Sequence, residues 1–466
     1  MKEACGVVAV ASKSPAAESL HIALMALQHR GQEAAGIAVY NGEGVTETFK
    51  GMGLAEEAFR GIDLSSVEGT TGIGHDYYSI KISVPENAQP TLLHTSVGAI
   101  AIAHNGIITN AEQLKQELLA QGHSFFYGSE EESIAYLLAD CLKEKSIPKA
   151  VKTLMRSIEG SYSFTIMFNG RVFGLRDPLG IKPLCLGELE DGYIIASESV
   201  AIDALGGTLI RDVMPGELVE ITPEGYESHR LVEERHRAGC FFEFVYFARA
   251  DSVIDGIDVY RVRERLGETL AHEHPVDADF VVPIPDSGRA HAYGYSKASG
   301  IPMAEGLMKN RYIARTFILP SQKIRERFVQ LKMNPVKSIV AGKRIVIVDD
   351  SIVRGTTMKK IVGLLRGAGA TEVHVRIASP PIIAPCYYGI DMTTRDQLIA
   401  SDKQIEDIRS EIGADSLGYI SIRGLVESLG MNKNDLCLGC VTGEYPVRIE
   451  GEKLRFQERL EKWEEK

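Results

Sequence analysis

Short apolar runs separated by polar, glycine-bearing stretches recur along the chain, and each predicts an element. Residues 6–11 read as a strand entered directly from Cys5. Residues 27–37 (LQHRGQEAAGI) read as the end of a helix, a turn and more apolar residues. The run 97–103 places His104, Asn105 and Gly106 at a strand end. Alternation over 163–175 and 193–196 predicts strands with one buried face. Further on, 280–284 and the β-branched run 345–348 fit strands buried on both faces of a parallel sheet. A helical pattern over 358–367 follows the latter.

The polar stretch 224–237 interrupts these patterns and reads as a linker, with a second domain opening at Cys240 (CFFEFVYFARADS). A chain of 466 residues exceeds one ordinary core, so two domains are expected. The division is 1–4 as a leader, 5–235, 236–447, and 448–466 as a charged helical end.

Candidate chemistry gathers at the ends of the predicted strands. Asp349 and Asp350 close the 345–348 run, where open α/β sheets bind ligands. Ser351, Arg354, Gly355, Thr356 and Thr357 follow, ahead of a helix. Hydroxyls, a glycine and backbone N–H groups at a helix N-terminus make a phosphate cradle. Paired acids beside it suit vicinal hydroxyls or a phosphate-bound Mg²⁺. The stretch RIVIVDDSIVRGTT resembles the 5-phosphoribosyl-1-pyrophosphate (PRPP) motif of type I phosphoribosyltransferases. Asp286, Ser287 and Gly288 form a turn at another strand end. At the N-terminus, loss of residues 1–4 would give Cys5 a thiol and its own α-amine, a nucleophile with its base. Asn105 and Gly106 pair a side-chain amide with a flexible backbone N–H, as an oxyanion hole requires.

Cys5-Gly6, QHRGQEAAGI, HNG, RDPLGIKPL at 176–184 and ASES at 196–199, in that order, resemble the glutaminase half of the glutamine PRPP amidotransferases; the PRPP motif resembles their other half. The resemblance implies an α+β N-terminal-nucleophile domain, an αββα sandwich, followed by an α/β type I phosphoribosyltransferase domain. It implies conversion of glutamine, PRPP and water to 5-phosphoribosylamine, glutamate and pyrophosphate, opening purine synthesis. Asp286–Gly288 would be the pyrophosphate loop, with Mg²⁺ at Ser287, Asp349 and Asp350. The basic stretch 323–337 would be a lid over PRPP, with Phe328 and Gln330 where Gly and Arg are expected. Purine nucleotide feedback and a homotetramer or homodimer are also implied.

Seven cysteines are too few and too scattered for a disulfide scaffold. Cys437 and Cys440 form C-x-x-C, and Cys240 and Cys386 could complete a four-thiolate set for a 4Fe–4S cluster, as in Bacillus-type members, or for Zn²⁺. Cys141 and Cys185 read as core thiols. The turn at Asp177, Pro178 and Gly180 reads as plain structure.

The glutaminase half departs from the family where it should grip glutamine. The expected G-H-x-R-Y-x-T reads GHDYYSI, so Tyr77 replaces the arginine and Ile80 the threonine. The expected S-D-x-E reads SEEE, so Glu130 replaces the aspartate. A phenol cannot supply a guanidinium's bidentate charge, and losing a charged partner in a desolvated site costs a few kcal/mol. Arg30 is the candidate compensator. Competing readings are a paralogue that is ammonia-fed or uses another amide, and a non-catalytic nucleotide-binding regulator.

With 51 basic and 63 acidic residues the net charge is −12, which argues against a general nucleic-acid binder. No apolar run approaches a membrane span and no signal peptide opens the chain. A cytoplasmic enzyme is the expectation.

Overall fold

The computed structural model describes residues 5–42, 46–78, 88–126, 128–232, 236–310, 333–392 and 394–447. Residues 1–4, Ile80, Phe328, Gln330 and the end from 448 lie outside them.

The first half is built on two antiparallel sheets. One has seven strands, in the order Thr208–Asp212, Cys185–Leu189, Gly192–Ala196, Gly6–Ser12, Thr71–Tyr77, Ala34–Tyr40 and Thr46–Met52. The other has six, in the order Gly225–Arg230, Glu217–Thr222, Arg171–Arg176, Gly160–Phe168, Gly98–Ile108 and Thr91–Thr95. Their facing sides share a core with several alanines, including Ala9, Ala11 and Ala38 against Ala101 and Ala103. Small side chains let the two sheets lie close. The outer face of the first sheet packs on helix Ala16–Leu27 through Val8, Val10, Leu20 and Leu24. The second sheet packs on helices Glu130–Leu142 and Ile147–Ser157. This is the αββα sandwich.

The second half carries a four-stranded parallel sheet, Phe280–Pro283, Arg344–Asp349, Glu372–Ile377 and Ser416–Tyr419 in spatial order. Its middle strands are buried on both faces. Val346 and Val348 pack toward helices Val259–Glu273 and Arg289–Ser299. Ile345 and Ile347 pack toward helices Thr356–Gly367 and Ile405–Ile412. That two-sided cover explains the unbroken apolar run.

Three sequence expectations are corrected. Residues 225–230 are not linker: Gly225–Arg230 is a strand paired to Glu217–Thr222. It lies at the sheet edge and is largely exposed, so its residues are polar. Asn105 and Gly106 are not at a strand end, because Gly98–Ile108 runs through them, pairing Asn105 with Ser163 and Gly106 with Tyr162. The helix after the Asp349–Asp350 pair begins at Thr356. Cys185 is a buried thiol, whereas Cys141 is half-buried against its core.

Among the described residues, no helix is long and apolar enough to cross a membrane.

Candidate active sites

Cys5 precedes the central strand Gly6–Ser12. Its Sγ lies 3.5 Å from both the backbone nitrogen and the carbonyl oxygen of Tyr78. Burial pushes the thiol up to about 12, with Glu131 adding to the rise and Lys182 and Arg30 opposing it. A thiol so enclosed needs a base at hand to become a nucleophile.

Arg30 is 1% exposed and fully engaged elsewhere. Its Nε donates to the Cys5 carbonyl at 3.1 Å, its Nη1 to Glu198 at 2.5 Å, and its Nη2 to Glu243 at 2.8 Å. Burial alone would lower its pKa, but Glu243 and Glu198 hold the guanidinium charged. Arg30 is therefore not a free grip for a carboxylate, contrary to the sequence expectation. It fixes the backbone of Cys5 and ties the two halves together. Glu198 also accepts from the Ser252 hydroxyl and the Arg249 N–H.

Asn105 is completely buried, and neither its side-chain oxygen nor its nitrogen has a hydrogen-bond partner among the described residues. A buried amide without partners is costly, which suits a group waiting for substrate. Gly106 has φ 143°, and a Cβ there would stand 2.0 Å from the Ser161 carbonyl oxygen, so only glycine fits. A Cβ on Gly389, in the second half, would meet Gly106 at 3.3 Å and Lys182 Nζ at 3.3 Å. Ser161 also donates to the Tyr388 carbonyl at 3.0 Å. The 386–392 segment thus backs directly onto Gly106 of the candidate oxyanion pair.

Tyr77 ends its strand half-buried, its ring 5.8 Å from that of His75. Glu130 opens its helix and accepts from the Ile108 N–H at 2.9 Å. Sequence reasoning missed the neighbouring Glu131, which is buried and accepts from Gln89 Nε2 at 2.9 Å and His104 Nδ1 at 3.3 Å. Burial alone would raise its carboxyl, but the His104 hydrogen bond holds it below the usual range. It also missed Lys182, which is 1% exposed. The only available signal was a glutamate run and a lysine beside a turn.

In the second half, Asp349 ends its strand, and the Asp350 N–H donates to its carboxylate at 2.9 Å. Burial, with Asp350 beside it, raises the Asp349 carboxyl well above its ordinary value. Such a pair calls for a cation or hydroxyl donors. Gly355, at φ 73°, caps the helix that starts at Thr356, and a Cβ there would strike Ile399 Cδ1 at 2.3 Å. Arg354, Thr356 and Thr357 are exposed around it, and the Ser351 hydroxyl donates to Asp350. The loop Asp286–Ser287–Gly288 reaches the same edge. The Ile284 N–H donates to the Val348 carbonyl at 3.0 Å, and a Cβ on Gly288 would lie 2.5 Å from that oxygen. Asp286 pairs with Lys309 at 2.9 Å. The expected pyrophosphate loop and acid pair therefore share one sheet edge.

Cys240 and Cys437 are register partners in a short parallel pairing. The Cys440 carbonyl accepts from the Ile383 and Ala384 N–H groups, close to Cys386 in sequence, and Cys240 and Cys386 both pack against the small apolar cluster that contains Cys437. All four are free thiols raised by burial, and Cys440 feels each of the other three. Among the described residues, no three His, Cys, Asp or Glu side chains are placed around one ion. A single Zn²⁺ would draw its sulfurs in to about 2.3 Å from the metal.

Two family models match the two halves: a glutamine amidotransferase domain over residues 75–204 and a phosphoribosyl transferase domain over 261–379. An amidophosphoribosyltransferase from Methanocaldococcus jannaschii is 48% identical over 473 residues, spanning 97% of this chain and 100% of that protein. The chain belongs to the amidophosphoribosyltransferase family. The Bacillus subtilis amidophosphoribosyltransferase is 45% identical, over 96% of this chain and 95% of its own. A solved glutamine PRPP amidotransferase from B. subtilis, complexed with ADP and GMP, superposes with a TM-score of 0.90 over 96% of this chain and 98% of that one, at 45% identity. Both halves of an amidophosphoribosyltransferase are thus present in one chain, in the order the motifs indicated.

Proposed function

We propose that the protein converts glutamine, PRPP and water to 5-phosphoribosylamine, glutamate and pyrophosphate, opening purine synthesis. The observation that carries this is the placement of Gly389, from the phosphoribosyltransferase half, against Gly106 of the oxyanion pair. An amide-cleaving site is abutted by the half that would use the ammonia.

Residues 1–4 are removed, leaving Cys5 with a free α-amine. That amine takes the thiol proton as Sγ attacks the amide carbon of glutamine, and returns it to the leaving ammonia. Asn105 Nδ2 and the Gly106 N–H stabilise the oxyanion. Water then releases glutamate from the thioester. Ammonia passes inside the protein to C1 of PRPP, since in solvent it would be protonated. At the second site, Asp349 and Asp350 hold the ribose hydroxyls, and the loop from Ser351 to Thr357 holds the 5-phosphate. Asp286, Ser287 and Gly288 receive the leaving pyrophosphate. Mg²⁺ would be held by Asp349, Asp350 and Ser287 and would offset pyrophosphate charge. An open site with few carboxylates suits an ion that keeps waters and substrate oxygens.

Cys240, Cys386, Cys437 and Cys440 would hold a 4Fe–4S cluster, tying the C-terminal segment to the domain boundary. Zn²⁺ on the same four thiolates is the second choice. Purine nucleotides would inhibit by feedback, in keeping with the ADP and GMP bound by the B. subtilis relative. The protein would work in the cytoplasm as a homotetramer or homodimer.

Cys5→Ser tests the division of labour. Glutamine-supported turnover should fall by about 10³-fold or more, as for loss of a nucleophile, while ammonia-supported turnover persists. Loss of both in folded protein would contradict two separate sites.

A further inference from the structure

Glutamine reaches the nucleophile as a zwitterion, so its α-carboxylate needs a cation. Tyr77 is not one, and Arg30 is bound to Glu198, Glu243 and the Cys5 carbonyl. Lys182 lies on the Gly389 side of the oxyanion pair. One further lysine faces the same interior.

Strand register places it. Val7 pairs with His75, His75 with Gly36, and Gly36 with Lys50, so these four residues form one row across adjacent strands. Val7 belongs to the layer between the sheets, so the row faces that layer. Cys5 precedes Val7 by one two-residue repeat and shares its side. Lys50 Cγ lies 3.1 Å from where a Cβ on Gly36 would stand, so the stem leans across the glycine toward His75. Gly36 is needed for this, because its Cβ would also meet the Gln89 carbonyl oxygen at 2.2 Å.

The groups at the end of the stem do not consume its charge. Burial lowers the His75 imidazole to about 4, and its Nε2 lies 2.9 Å from the His104 carbonyl oxygen, so it is neutral and donating. Glu131 is already bonded to Gln89 and His104, yet its charge reaches Cys5, His75 and Lys50 alike. These groups therefore form one cluster beside the nucleophile. Lys50 is half-buried and makes no hydrogen bond or ion pair with another described residue. Burial pulls its ammonium down to about 8, as expected of a cation short of a partner.

We propose that the Lys50 ammonium holds the α-carboxylate of glutamine, replacing the arginine whose place Tyr77 takes, with Glu130 serving the α-ammonium. This rests on the glutaminase reading above. Lys50 thereby sets specificity for a free amino acid over a peptide-like amide.

The test uses L-glutamine and its α-amide, which lacks only the carboxylate, with ammonia as control. In the unaltered protein the α-amide should show a KM at least about 10-fold higher, the equivalent of ~1.4 kcal/mol. Lys50→Met should raise the KM for glutamine by about 10-fold or more, with kcat, the α-amide KM and ammonia-supported turnover little changed, the pattern of lost ground-state binding. Lys50→Arg should keep glutamine near its original KM. Equal use of both amides by the unaltered protein, or an equal rise for both in Lys50→Met, would overturn the assignment. Turnover with ammonia but with neither amide would instead overturn the glutaminase reading beneath it.

Discussion

Cys5, Asn105 and Gly106 stood out in the sequence as candidates because the chemistry they suggest is local: a thiol with a short leader, and an amide beside a glycine. Arg30 was not, because its partners Glu198 and Glu243 lie 168 and 213 residues away. Only the fold reveals that its charge is spent. Breaking one side of so buried a pair should be severe. Arg30→Met should cost about 3–5 kcal/mol, read as a lowered urea midpoint. Glu198 adds a pH signature. Burial alone would raise its carboxyl, but His29 and Arg30 hold it well below the usual range. A depressed folded pKa gives stability that is present above the unfolded value, near 4.3, and lost as pH falls toward the folded one. The difference in urea midpoint between the unaltered protein and Glu198→Gln should therefore be largest near pH 7 and shrink in acid. A gap that stayed constant to pH 3 would show that Glu198 is not a charged partner.

The strand–loop–helix around Asp349–Thr357 was readable almost residue by residue, since a doubly buried parallel strand must be continuously apolar and its cradle contiguous. Elements whose exposure differs from their type were harder. The edge strand Gly225–Arg230 looked like linker because its outward residues are polar. The 386–392 segment gave no periodic signal, yet it carries Cys386 and packs Gly389 on Gly106. Gly389 sits at φ 96°, a strained conformation for any other residue, and a methyl group there would press on Gly106 and Lys182 Nζ at 3.3 Å. Gly389→Ala should lower kcat with glutamine by about 10-fold, a misplacement effect, and affect the ammonia reaction less. Equal losses would place the segment's role elsewhere. The same segment leads to the thiol cluster. Protein purified without oxygen should be brown, with thiolate-to-iron absorption that disappears on oxidation together with stability. Colourless protein holding one equivalent of zinc would contradict the cluster and keep the four-thiol site.

At the scale of the whole molecule, two halves meet across a boundary fastened by buried charge. Arg30 reaches Glu243, and Arg176 reaches Asp255 at 2.8 Å. Two domains in this order were legible from the motifs, whereas their contact surface was not, because each interfacial ion pair joins residues remote in sequence. The design implies that one phosphoribosyl pocket serves both nitrogen sources. The double variant Asp349→Asn, Asp350→Asn should lower turnover with either source by about 10²-fold or more, since the charged partners of substrate are lost. The most direct test of the account is pyrophosphate release from PRPP by the unaltered protein, measured with glutamine, with ammonium, and with neither. The account predicts rapid release with glutamine and with ammonium, and only a slow background with neither. Release with ammonium alone would contradict the amide-cleaving role of the first half, and equal release under all three conditions would contradict nitrogen transfer altogether.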